Sequence, residues 1–198
     1  MAVGPLTRLL PALALLLLVG GCNTPLPPQQ FSELSWSNLP PFRLNVARVE
    51  VVRQYMPSDT PPHVDTLTPR TLIDSADRWA RDRLVAVGNS GVARFIITDA
   101  SVVEVPLPVN KGLAYAFTEE QSKRYDAHVA VRLEIVNARG YTDGEVRAEA
   151  SNSRSVAQNA TPRDINQVWY LIVQGTMLDL NAQLERNIYT YLRRFLAS

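Results

Sequence analysis

Residues 125–136 read YDAHVAVRLEIV, and their alternation restricts the fold more than any other stretch. Successive side chains of a strand point to opposite faces, so Tyr125, Ala127, Val129, Val131, Leu133 and Ile135 share one face, while Asp126, His128, Arg132 and Glu134 share the other. The apolar face needs a second layer to cover it. The polar face is left to water or to a partner.

Two helical periodicities can supply that cover. Thr68 and Pro69 read as the N-cap and first position of a helix, since a proline has no amide there to waste. Leu72, Ile73, Ala76, Trp79, Ala80, Leu84 and Val87 follow at helical spacing, and Gly88 fits the terminating position. A second start stands at Thr161, Pro162, Arg163 and Asp164, with an acid where the helix dipole favours it. The apolar series Ile165, Val168, Trp169, Ile172, Thr176, Leu180, Leu184, Ile188, Tyr191 and Phe195 then runs to the C-terminus. Extra apolar residues on its first half, Tyr170 and Leu171 among them, widen the stripe. Trp169 lies on the regular stripe and is expected in the core. Tyr170, about 100° around the helix, is expected to face a partner.

Three further stretches read as strands. FRLNVARVEVVRQY, residues 42–55, changes the parity of its apolar positions, which a bulge near Val46 would reconcile. MPSDTPPHVDTLT then reads as a surface loop. VARFIITDASVVEV, residues 92–105, is rich in β-branched side chains. EVRAEASNSRSV turns the small Val146, Ala148 and Ala150 inward, which predicts a helix packed close above them. Residues 106–124 are irregular, a loop or an edge hairpin. The order strand-helix-strand-strand-strand-helix predicts an α/β two-layer sandwich: about four strands, largely antiparallel, with both helices on one face. With 198 residues and 46% hydrophobic content, one domain is expected.

The N-terminus has a different logic. Arg8 precedes the apolar run Leu9 to Val19 and two glycines, the three-part pattern of a secretory signal. The stretch from Leu9 to Gly21 is 13 residues with Pro11 inside it, and a stable span needs about 20. Val19, Gly20, Gly21 and Cys22, the chain's single cysteine, resemble the bacterial lipobox. That resemblance implies acylation of Cys22, cleavage before it and a membrane anchor of several acyl chains. Asn23 in place of Asp implies the outer membrane over inner-membrane retention. The expected division is residues 1–21 as lipoprotein signal peptide, 22–40 as acylated N-terminus and proline-rich tether (NTPLPPQQ), and 41–198 as a single periplasmic domain.

Lys+Arg 20 against Asp+Glu 19 leaves no bulk field for nucleic acid. His63 sits in the proline loop. His128 with Asp126 and Arg132 has the residue types of an acid/base cluster, but the stronger reading is a solvated sheet face with cross-strand pairs. No nucleophile motif and no metal-ligand spacing stands in the chain, so no catalytic residue, cofactor or metal is expected. Arg132, Arg147 and Arg154 suit lipid phosphate, but pairing with Glu134, Glu145 and Glu149 is favoured. The pattern leaves Trp36, Leu39 and Phe42 near the tether unburied, with Leu113, Tyr115 and Phe117 in the irregular segment. Such residues mark docking surfaces, and Tyr115, Phe117 and Tyr170 are the candidate partner contacts.

The element order, the loop before the alternating strand, the long final helix and the lipobox together resemble two families. One is the small outer-membrane lipoproteins of lipopolysaccharide assembly; the other is the auxiliary lipoproteins of ABC-type lipid transport. The resemblance implies a non-catalytic accessory or adaptor subunit of a cell-envelope system, on the periplasmic face of a membrane and bound to an envelope protein. A lipid-binding carrier with an apolar cavity is the alternative.

Overall fold

The computed structural model describes residues 28–108 and 121–197; Cys22, Leu113, Tyr115 and Phe117 lie outside the described residues. From Phe31 onward the chain forms one compact unit. Its elements are β1 (Phe42–Leu44), β2 (Arg48–Arg53), α1 (Leu72–Arg83), β3 (Leu84–Ala86), β4 (Val92–Pro106), β5 (Gln121–Val136), β6 (Thr142–Ala157) and α2 (Pro162–Tyr191), with a 3-10 turn at Arg193–Phe195. The fold is α/β, and its four-stranded sheet has the order β2-β4-β5-β6. β2 runs parallel to β4, with α1 in the crossover, and the other pairs are antiparallel.

The alternation of β5 does what its sequence demands. Tyr125, Ala127, Val129, Val131, Leu133 and Ile135 are all buried, and both helices pack on this side of the sheet. α2 lies over β6, where Val146, Ala148 and Ala150 are buried as expected for a close helix. Its start is a capping box: the Asp164 amide donates to Thr161 Oγ1 at 3.3 Å, and the Thr161 amide donates to Asp164 Oδ2 at 2.9 Å. Ile172, Thr176, Leu180, Leu184 and Ile188 form the buried stripe of one continuous helix that passes through Gly175. Between the layers, Trp79 stacks on Phe95 at 5.4 Å and donates Nε1–H to Asn181 on α2 at 2.8 Å.

Three expectations need correction. The parity change in residues 42–55 is a break between two sheets and not a bulge. β1 pairs in parallel with β3 in a separate two-stranded sheet, and β2 joins the main one. The amides in the break are satisfied, Asn45 by Phe195 O at 2.8 Å and Ala47 by Gly91 O at 3.1 Å. The main sheet's bulge falls in β4, between Ile97 and Asp99.

Secondly, α1 begins after Thr71 and not after Thr68. Thr68 is buried and its hydroxyl donates to Asp65 O at 3.1 Å within the loop, so Thr71 caps by accepting from the Asp74 amide at 3.2 Å. The helix also stops before Gly88, because Leu84 turns extended and Leu84–Ala86 pairs with β1.

Thirdly, Trp36, Leu39 and Phe42 are not exposed. Trp36 is 5% and Phe42 2% exposed, and Leu39 packs against the same core. Residues 31–36 form a strap along α1. Arg70 donates to Phe31 O at 2.6 Å, Arg78 pairs with Glu33 at 2.5 Å, and Asp82 accepts the Trp36 amide at 2.8 Å and the Ser35 hydroxyl at 3.0 Å. The strap's partners advance along α1 as its own residue numbers advance, so it reads as an additional segment laid on the helix layer.

Candidate functional site

The face of the sheet turned away from the two helices carries most of the singled-out polar residues. Its rows follow from register: Arg94, Glu134 and Glu145 stand side by side, as do Ile96, Arg132 and Arg147. Arg132 and Arg147 are like charges directly opposite each other, as are Glu134 and Glu145, an arrangement that repels unless compensated. Compensation runs along each strand. Arg132 meets Glu134 at 2.9 Å and Arg147 meets Glu145 at 2.7 Å. Arg94 bridges Glu50 and Glu134, each at 3.6 Å, and the guanidinium of Arg48 completes the ladder onto Glu50 at 2.8 Å. The hydrogen bond from Arg48 holds the Glu50 carboxyl below its usual range.

The expected pairing therefore holds for Arg132 and Arg147, although Arg147 takes Glu145 and not Glu149. It fails for Arg154. Register places Arg154 opposite Tyr125, on the helix side of the sheet, so the three arginines do not share a face.

His128 does not gather Asp126 and Arg132 into a cluster. Asp126 is chelated by Arg124 through two contacts of 2.7 Å, whose hydrogen bonding holds its carboxyl low. His128 Nδ1 lies 2.9 Å from Ser151 Oγ, its cross-strand neighbour. This spacing is what register gives any such facing pair, and the pair sits on an open strand surface. His63 is half-exposed, 3.5 Å from Asp65.

Beside the arginine pair, Ala130 stands between Asp99 and Glu149 in register and leaves a shallow cleft of about 460 Å³ with Thr98, Arg132, Arg147 and Gln183 around it. At its border, α2 seals part of the β6 edge. Gln183 Oε1 accepts the Glu149 amide at 2.8 Å, and Asn187 Nδ2 donates to Arg147 O at 2.7 Å. A second, larger cleft of about 520 Å³ lies along α1. Arg53 and Arg81 converge there on Asp77, with Arg81 Nε at 2.6 Å, and Arg53 also reaches Asp74 at 2.9 Å. The cleft along α1 is walled by ion pairs, whereas the one beside Ala130 combines Arg132, Arg147, Glu149 and Gln183 with the apolar Ala130, Val131 and Ala148.

On α2, Trp169 is half-buried and meets Tyr125 edge-on at 5.5 Å. Tyr170 is half-buried too, with the Phe31 ring 5.0 Å away. Part of the ring that helical periodicity turns outward is thus covered by the chain's own strap. Sequence reasoning missed Asp65 and Arg83. Arg83 is 1% exposed, lies 4.6 Å over the Phe42 ring and is 3.5 Å from Glu185. A sequence signal was there: Arg83 stands four residues after Trp79 and three after Ala80, on the apolar stripe of α1, whereas its exposed neighbour Arg81 lies off that stripe.

No protein-family model and no curated protein matches the chain. Among solved structures it is similar to a minor lipoprotein from Acinetobacter baumannii, with 14% identity and a TM-score of 0.38, over 78% of this chain and 98% of that one. It is also similar to a neuraminyllactose-binding hemagglutinin homolog from Helicobacter pylori, with 9% identity and a TM-score of 0.29, over 81% of this chain and 95% of that one. Likenesses this distant carry no argument about what the chain does.

Proposed function

We propose that the chain is a bacterial envelope lipoprotein. In this reading acyl chains on Cys22 anchor it to the periplasmic face of a membrane, the outer one, and its domain is a non-catalytic adaptor for an envelope protein of lipid transport or outer-membrane assembly. One observation carries the reading: Val19, Gly20, Gly21 and Cys22 close a 13-residue apolar segment. Several acyl chains hold a protein on a bilayer where one would not. No helix among the described residues is long and apolar enough to cross a membrane. Mass spectrometry of the N-terminal peptide from detergent-extracted protein tests the anchor. The expected species begins at Cys22 with diacylglycerol on its thiol and an acyl group on its amine; an unmodified thiol, or cleavage elsewhere, removes the reading.

The adaptor reading is favoured over the lipid carrier by the interlayer space. Phe95, Ile97, Leu133, Ile172, Met177, Leu180 and Leu184 have essentially no accessible surface, and the wall of an acyl-sized cavity would have some. The ion-paired sheet face turned away from the helices is the surface offered to a protein. A photocrosslinker at Glu149, activated in intact cells, is expected to trap an envelope protein. Phospholipid copurifying at one molecule per domain would instead favour the carrier.

A further inference from the structure

The loop between β2 and α1, residues 54–70, unites two features that nothing above uses. Met56 is 82% and Leu67 52% exposed. The charged side chains of the loop are the exposed Asp59, the buried Asp65 and Arg70, which is half-buried against the Phe31 carbonyl, with His63 half-exposed between them. On a surface otherwise laced with ion pairs, this is a charge-poor patch with two protruding apolar side chains. The loop itself is firmly held: the Val64 amide donates to Val102 O at 2.9 Å, and the Glu104 amide donates to Pro62 O at 2.8 Å.

We propose that this loop is the bilayer-facing surface of the domain, with Met56 and Leu67 resting in the interfacial layer of a phospholipid membrane. The inference rests on the anchor reading for Cys22 and adds where the domain meets the membrane. Chain length carries it. Nine residue steps separate Cys22 from Phe31, a contour of at most about 32 Å. Phe31 is fixed to the loop, because Arg70 donates to its carbonyl at 2.6 Å, and Leu67 is three steps from Arg70, at most about 11 Å of chain.

Phe31, the first residue of the compact unit, therefore lies beside the loop. The turn carrying Tyr141 is at the other end of the sheet, since Val136 pairs with Val92 while the loop is bonded to Val102. Ten residue steps of β4 separate those points, about 33 Å. Tyr189 and Tyr191, also exposed, close α2 toward that far end. A leash tied at the near end brings the loop to the lipid first. Apolar side chains on a charge-poor surface then gain by leaving water, and the flexible thioether of methionine adapts to a disordered lipid layer.

The native cysteine makes the test clean. With the Cys22 thiol acylated, Met56→Cys, Leu67→Cys or Tyr141→Cys supplies the one free thiol in the full chain. Each variant is labelled with a polarity-sensitive fluorophore and reconstituted in vesicles of phosphatidylethanolamine and phosphatidylglycerol containing nitroxide-bearing lipid. Quenching at residues 56 and 67 is expected to be at least twofold stronger than at 141. Equal quenching at the three positions, or stronger quenching at 141, overturns the proposal. Mass spectrometry of the same samples separates the two ideas. Acylated Cys22 with equal quenching removes only the bilayer-facing loop, whereas an unmodified Cys22 removes the anchor and the loop contact together.

Discussion

Asp65 is 2% exposed and is held by neutral donors, not by an arginine or lysine. Its Oδ2 accepts from Tyr55 Oη at 2.6 Å and the Ser58 amide at 2.9 Å, and its Oδ1 accepts the Val102 amide at 2.7 Å. Burial, reinforced by this hydrogen bond, pushes the Tyr55 hydroxyl up, so it remains a donor throughout the neutral range. An asparagine at 65 must turn its NH₂ toward one of these donors, whichever way it is flipped. Asp65→Asn is therefore expected to cost about 1–3 kcal/mol in urea denaturation, the penalty for an unsatisfied buried pair. Tyr55→Phe removes one of the opposed donors, so the double variant should lose less than the sum of the single losses.

Asp77 makes the complementary case. Burial opposes its ionised form, but hydrogen bonds from Arg81 and Arg53 outweigh burial and hold its carboxyl below the usual range. With a folded-state pKa below the unfolded one, its contribution is complete above about pH 5 and is lost as pH falls through the folded value. Asp77→Asn should thus be less stable than wild type at pH 7, and the gap should narrow at pH 3. A gap that stays constant between the two would show that the pairs contribute nothing through ionisation.

At the scale of elements, two glycines report how α2 is seated. A Cβ on Gly144 of β6 would lie 2.8 Å from Leu192 Cδ2 and 3.2 Å from Phe195 Cζ, in a packed corner. Gly144→Ala should cost about 1–3 kcal/mol through overpacking. A Cβ on Gly175 would meet only the Asn152 side chain, with Nδ2 at 2.8 Å, and that amide can rotate away. Alanine is better than glycine inside a helix by up to about 1 kcal/mol, so Gly175→Ala should be neutral or mildly stabilising. Thermal denaturation of the two variants side by side checks both signs.

The same elements show what the sequence makes legible. β5, β6 and α2 were readable because their own side-chain period states which face is buried, and the capping box at Thr161 and Asp164 marks the helix start locally. The division of residues 42–55 was not readable. It depends on β1 pairing with β3 and on Asn45 bonding to Phe195, about 150 residues away in sequence. The cap at Thr71 depends on Thr68 being occupied by Asp65. For the face turned away from the helices, the pairs of Arg132 and Arg147 with glutamates were foreseeable. The odd and even positions of Arg147 and Arg154 already separated them, a signal overlooked in grouping them by charge.

For the whole molecule, the strap of residues 31–36 is attached in two ways. Trp36 belongs to the same core cluster as Trp79 and Leu84, while Asp82 holds the strap by hydrogen bonds that are partly open to water. The two kinds of attachment should fail differently. Trp36→Ala removes a buried large aromatic and should lower global stability by about 3–5 kcal/mol. Asp82→Ala leaves the apolar contact in place but releases the Trp36 amide, so the strap should open locally, below the free energy of global unfolding. Native-state hydrogen exchange distinguishes these cases. In Asp82→Ala the amides of Trp36 and Leu39 are expected to exchange at least tenfold faster, while those of Val129 and Val131 in β5 keep their wild-type protection. If the β5 amides accelerate equally, strap and sheet open in one step, and the strap is as integral to the fold as the strands beneath the helices.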